Sequence, residues 1–233
     1  MSAALPRIFC AIDTPDADKA RTLIAQAGGA GCGVKLGLEF FNYGGPQAVA
    51  DIIGKAGNPP LFLDLKYHDI PNTVAGAIRS VTQTIQPAFL NVHASGGLDM
   101  MKAARDACPA GTKLLAVTIL TSLDEQAIVE AGYRAGLPER VVQLAELTKR
   151  AGLDGVVCSA HEIAAIRAAC GDDFILMVPG IRPAGSSADD QKRMMTPPQA
   201  VEAGATHLVI GRPITQAADP VAAARAIVAG LAA

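Results

Sequence analysis

The chain has 233 residues, 50% hydrophobic and 18% charged, which is long enough to bury a large core and too apolar for disorder. Its 20 basic and 22 acidic residues give a net charge of −2, which argues against an overall basic nucleic-acid footprint. Trp is absent and aromatics make up 4%, so stacking on exposed bases is not expected either.

The opening MSAALPRIFCAID has no cationic region ahead of a long apolar stretch, which predicts no signal peptide. No apolar run reaches the length of a membrane span, so no membrane partner is expected. The first predicted strand covers 7–13, followed by strands at 33–38 and 61–67. Next, Val74, Ala77, Ile78, Val81 and Ile85 recur at helical spacing, with Pro71 suited to the first turn. Strands follow at 89–95 and 113–121, then a helix at 138–150 that opens on Pro-Glu and closes at Arg150 and Gly152. Two further strands are predicted at 155–160 and 174–180, and the last at 207–213. The final helix takes Asp219 as its N-cap and Pro220 as its first residue.

These strands are nearly continuous in apolar character, as strands covered on both faces are. Eight of them alternating with helices in one chain predict a single-domain α/β fold, a (β/α)8 TIM barrel spanning 1–233. The alternative is an open doubly wound sheet, but no G-x-G-x-x-G follows the first strand. Residues 181–195 (IRPAGSSADDQKRMM) form a long polar segment after the seventh strand, where such barrels often carry a working loop. Cys10, Cys32, Cys108, Cys158 and Cys170 are odd in number and form no CxxC pair. They predict buried free thiols in a reducing, cytoplasmic compartment and signal no zinc or redox site.

Charges then appear where a barrel core is expected. In Phe62-Leu63-Asp64-Leu65-Lys66, the alternation puts Asp64 and Lys66 on the inward face and Leu63 and Leu65 on the helix-facing side. Burying two charges is costly unless they pair, so an internal ion pair is one reading. Lys35 in the second strand and Asp13 at the end of the first favour the other, a site at the barrel mouth whose lysine donates a proton. His68 reads as a hydrogen-bonded support, and His93, with Asn91 and Ser95 on its face, as a support or filling for the barrel. After strands seven and eight, Pro179, Arg182, Gln191, Gly211 and Arg212 suggest a phosphate grip: glycine for close backbone approach, arginine for forked bonds to oxygen.

The run Asp64-Leu65-Lys66-Tyr67-His68-Asp69-Ile70-Pro71-Asn72-Thr73 resembles the signature of the orotidine 5′-monophosphate decarboxylase family. So do AIDTPD at 11–16, VKLGLEFF at 34–41, NVHASGG at 91–97, LTS at 120–122, PGIRPAGSSADDQKR at 179–193 and GRPIT at 211–215, in matching order. The resemblance implies decarboxylation of orotidine 5′-monophosphate to UMP without metal or other cofactor, as the last step of pyrimidine synthesis. It implies that Lys66 protonates C6 and that Asp64 sits beside the departing carboxylate. Lys35 and Asp13 would bind the ribose hydroxyls and complete the charged catalytic network, and Thr121 would lie near the pyrimidine. Pro179 would be among the substrate contacts, and Arg182, Gln191, Gly211 and Arg212 would hold the phosphate. A homodimer is implied too, in which Asp69 and Thr73 reach into the neighbouring subunit's site. The rival readings are a magnesium-dependent sugar-phosphate lyase on a related barrel, and a silent barrel that only binds a nucleotide or phosphosugar.

Overall fold

A computed structural model describes residues 5–134, 136–183 and 195–231. The strands are β1 (Ile8–Ile12), β2 (Gly33–Gly37), β3 (Leu61–Tyr67), β4 (Phe89–His93), β5 (Lys113–Val117), β6 (Gly155–Val157), β7 (Ile175–Val178) and β8 (His207–Ile210). They pair in parallel and in chain order, and β8 closes onto β1 through Ile8↔Leu208 to complete the eight-stranded barrel. An open doubly wound sheet is thereby excluded.

The helices cover the outside. They are α1 (Ala17–Gly29), α2 (Leu38–Lys55), α3 (Pro71–Thr82), α4 (Gly97–Ala107), α5 (Glu125–Glu130), α6 (Leu137–Arg150), α7 (Ile163–Cys170), α8 (Pro197–Glu202), α9 (Arg212–Thr215) and α10 (Pro220–Ala229). Local chemistry sets their ends. Asp16 accepts from the backbone N–H groups of Asp18 and Lys19 to start α1, and Asp219 accepts from Ala222 N–H to start α10, as its sequence predicts. Pro71 opens α3 and buries Val74, Ile78 and Val81; the helix stops at Thr82, so Ile85 is buried beyond its end. Helix α2 is broken at Gly45, whose φ of 69° precedes Pro46.

All five residues of β1 are buried, yet they serve two cores. Ile8, Cys10 and Ile12 point into the layer between barrel and helices, whereas Phe9 and Ala11 join Phe62, Phe89, Leu115, Met177 and Val209 inside the barrel. Phe9, Phe62 and Phe89 meet edge to face; the Phe9 and Phe89 centroids lie 5.3 Å apart at 84°. Gly33 makes room for this cluster, since a Cβ there would fall 2.5 Å from the Phe9 ring. His207 closes the cluster from below: its ring packs edge-on against Phe89, and Nδ1 donates to the Pro6 carbonyl at 2.9 Å. The N-terminal half of the barrel is thus plugged, which leaves its C-terminal half open for chemistry.

The five cysteines are buried and free. Burial pushes each thiol up, to about 12 for Cys10 and about 11 for Cys32. Among the described residues, no helix is long and apolar enough to cross a membrane.

Seven of the eight strands are shorter than their apolar runs; β1 and β2 each end one residue early, and β8 ends at Ile210, not 213. β4 ends at His93, and Ala94–Gly96, including Ser95, forms a 3-10 turn. β5 ends at Val117, not 121; β6 at Val157, not 160; β7 at Val178, not 180. The residues past these ends stay largely apolar because several of them, including Ile119, Cys158 and Pro179, line a cavity instead of pairing.

Candidate active site

A cavity of about 310 Å³ opens at the C-terminal ends of the strands. Its floor is the top of the barrel core: Ala11, Phe62, Val157 and Val209. Above this floor stand the charges. Lys35 projects from β2 and Asp64 and Lys66 from β3, while Asp13 sits at the exposed rim just after β1.

The four form a chain of alternating charge. Lys35 Nζ lies 3.2 Å from Asp13 Oδ1 and 3.5 Å from Asp64 Oδ2. Lys66 Nζ lies 2.7 Å from Asp64 Oδ1. Asp64 is 8% exposed. Burial pushes its carboxyl up, but Lys35, Lys66 and the hydrogen bonds from Lys66 and Asn91 together outweigh burial and hold it below the usual carboxylate range. Asp64 is therefore a carboxylate at neutral pH, with one oxygen facing each ammonium.

The alternation that places Asp64 and Lys66 together is not simple. Leu63 pairs with Leu90, but the next pair is Tyr67 with Val92, so Asp64, Leu65 and Lys66 stand opposite the single residue Asn91. Within this bulge Lys66 takes a φ of +50°, a left-handed conformation that costs a non-glycine residue about 1 kcal/mol or more. Leu65 still packs outward into the helix-facing core, and both charged side chains still reach the cavity. Bulges of this kind re-aim a side chain beside a site.

The other sequence-predicted residues divide into three groups. Thr121, Pro179, Arg182, Gly211 and Arg212 all line the same cavity. Arg182 is 8% exposed, with Nη1 donating to the Ile181 carbonyl, and Arg212 begins the short α9 directly after β8. Gly180, at φ 77°, turns the chain between Pro179 and Arg182. Asp69 and Thr73 are exposed beyond the end of β3 and do not line the cavity; Asp69 Oδ1 accepts from the Ile70 N–H at 2.7 Å. Gln191, and with it most of the 181–195 segment, lies outside the described residues.

His68 and His93 face one another with ring centroids 5.4 Å apart, and neither lines the cavity. Burial, then the neighbouring His68 and Lys66, push the His93 imidazole down. The sequence reading placed Asn91 on a barrel-lining face without giving it a task. The structure connects it to both Asp64 and Lys66. A lone amide in the apolar strand FLNVH is the signal the sequence offers. Among the described residues, no group of three or more His, Cys, Asp or Glu side chains is arranged to hold a metal ion.

A buried carboxylate between two ammonium groups, over an apolar floor and in a cavity also lined by two arginines, can bind an anionic ligand, orient it and deliver a proton. Comparison with known proteins identifies the family. An orotidine 5′-phosphate decarboxylase of Rhodospirillum rubrum is 52% identical over 228 residues, covering 94% of this chain and 92% of the relative. One from Nitrosospira multiformis is 51% identical over 217 residues, covering 92% and 89%. The crystal structure of orotidine 5′-phosphate decarboxylase from Lactobacillus acidophilus superposes with a TM-score of 0.86 at 36% identity, covering 99% of this chain and 100% of that one. The sequence profile of the orotidine 5′-phosphate decarboxylase / HUMPS family matches residues 6–227, and the chain belongs to that family.

Proposed function

We propose that this chain decarboxylates orotidine 5′-monophosphate to UMP and CO2, the last step of UMP synthesis, with Lys66 protonating C6. The observation that carries this reading is the Lys35–Asp64–Lys66 array, in which an ammonium lies 2.7 Å from a buried carboxylate at the mouth of the cavity. When the C6–carboxylate bond breaks, its electron pair stays at C6 in the plane of the ring, where the π system delocalises it poorly. Enzymes lower such barriers by about 8–23 kcal/mol, and fixed charge aimed at the developing carbanion is the largest single means. Lys66 supplies that charge, then transfers its proton to C6 and regains one from solvent.

The remaining roles are those the family resemblance implies, supported by the lining of the cavity. Asp64 orients Lys66 and faces the side from which CO2 departs. Lys35 and Asp13 hold the ribose hydroxyls and complete the charged network, Thr121 borders the pyrimidine, and Pro179 is a further substrate contact. Arg182, Gly211 and Arg212, with Gln191 from the 181–195 segment, grip the phosphate. No metal has a part, because each oxygen of Asp64 is already matched by an ammonium where a cation-binding carboxylate keeps its oxygens open. Loss of orotidine monophosphate absorbance by the purified protein tests this directly. Loss unaffected by excess EDTA is expected. Loss that requires added magnesium would favour the metal-dependent lyase, and UMP binding with no turnover the silent barrel.

The working unit proposed is a homodimer. Asp69 and Thr73 are exposed and away from their own cavity, and Ile70 between them is 67% exposed, which suits a segment that completes a neighbouring site. Mixing Asp69→Ala with Lys66→Ala protein should then restore part of the activity, since one kind of mixed site carries both native residues. No recovery after demonstrated subunit exchange would rule out sharing.

A further inference from the structure

We propose that Asn91 is a positioning residue for the Asp64–Lys66 pair, setting the carboxylate and the lysine backbone with one amide; this rests on the decarboxylase reading above. Asn91 is fully buried in β4 at 0% exposure. Its Nδ2 donates to Asp64 Oδ1 at 2.7 Å, and its Oδ1 accepts from the Lys66 N–H at 2.8 Å. The orientation of the amide is forced: a backbone N–H only donates and a carboxylate only accepts, so a flipped side chain would fail at both ends.

These two bonds act on the chemistry through different atoms. Asp64 Oδ1 is also the oxygen that contacts Lys66 Nζ. Asn91 therefore holds the backbone from which the lysine side chain starts and the carboxylate against which it ends. Lys66 needs the backbone anchor because it is held at φ +50° within a bulge where three residues face one. Asn91 does not itself line the cavity, so it reaches the reaction only through its two partners. Released from Asn91, Lys66 Nζ loses its fixed aim at C6, and misplacement of a reacting group by about 1 Å costs on the order of 100-fold in rate.

The test measures orotidine monophosphate turnover and UMP affinity for the wild-type protein and two variants, each checked for folding by thermal melting. Asn91→Ala is expected to lower kcat roughly 100-fold while KM and the UMP Kd stay within about threefold, since only the transition state needs the aimed ammonium. A lower Tm with kcat per folded molecule unchanged would overturn the proposal, leaving Asn91 a structural amide. Asn91→Asp keeps the shape and the acceptor for the Lys66 N–H but can donate to Asp64 only while the new carboxyl is protonated. Its kcat relative to wild type is expected to rise as pH falls; a ratio that stays flat with pH would overturn the proposal. Should the alanine variant fail to fold, the pH profile of Asn91→Asp decides alone. An inactive wild-type protein would instead bring down the decarboxylase reading.

Discussion

Lys66→Ala is expected to lower kcat by at least roughly 10⁴-fold, because it removes the general acid and the closest positive charge together. UMP should still bind, since Arg182 and Arg212, which line the cavity after β7 and β8, are untouched. The fold should also survive. Lys66 is partly exposed, and Asp64 keeps Lys35 at 3.5 Å and Asn91 at 2.7 Å, so no buried charge is left alone. Single-turnover assays with orotidine monophosphate, alongside UMP titration, measure both quantities. A residual rate above about one hundredth of wild type would exceed what general acid catalysis and one aimed charge allow to remain, and would remove Lys66 from the reaction.

Arg212→Ala should lower kcat/KM for the phosphorylated substrate roughly 100-fold, the scale of losing charge-assisted bonds to an anion. The diagnostic comparison is orotidine, which lacks the phosphate: its kcat/KM should be nearly the same in variant and wild type. Arg212 sits at the start of α9 and lines the cavity with Arg182 and Gly211, whereas Lys66 rises from β3. The phosphate lies well away from C6, so any part of the loss that falls on kcat marks binding energy used to assemble the site. Equal losses for both substrates would place Arg212 in the general architecture and not at the phosphate.

Much of this architecture can be read from residue order. Buried strands announce themselves by apolar continuity, and all eight fall where their runs predict. Most of their C-terminal ends do not; after β5, β6 and β7 this is because Ile119, Cys158 and Pro179 are apolar for a different reason: they line the cavity. Hydropathy cannot separate a residue facing a neighbouring strand from one facing a ligand. Helix starts fare better where a short side chain caps them, as Asp219 does for α10.

At the site, the charges of Asp64, Lys66 and Lys35 are conspicuous because strands covered on both faces rarely carry them. The bulge is not conspicuous. Nothing in Asp-Leu-Lys demands the left-handed backbone at Lys66; it arises from the register between β3 and β4, a property of two distant segments. The task of Asn91 is hidden for the same reason, since its partners stand 25 and 27 positions away.

The five enclosed thiols bear on how the molecule can be handled. Because the thiolate is the species that alkylates, groups held as high as about 12 at Cys10 and about 11 at Cys32, behind packed strands and helices, are slow toward maleimides and peroxide alike. The protein is already its own cysteine-light scaffold. A single cysteine placed at an exposed position such as Val129 would take up a fluorophore alone, with no native residue removed beforehand.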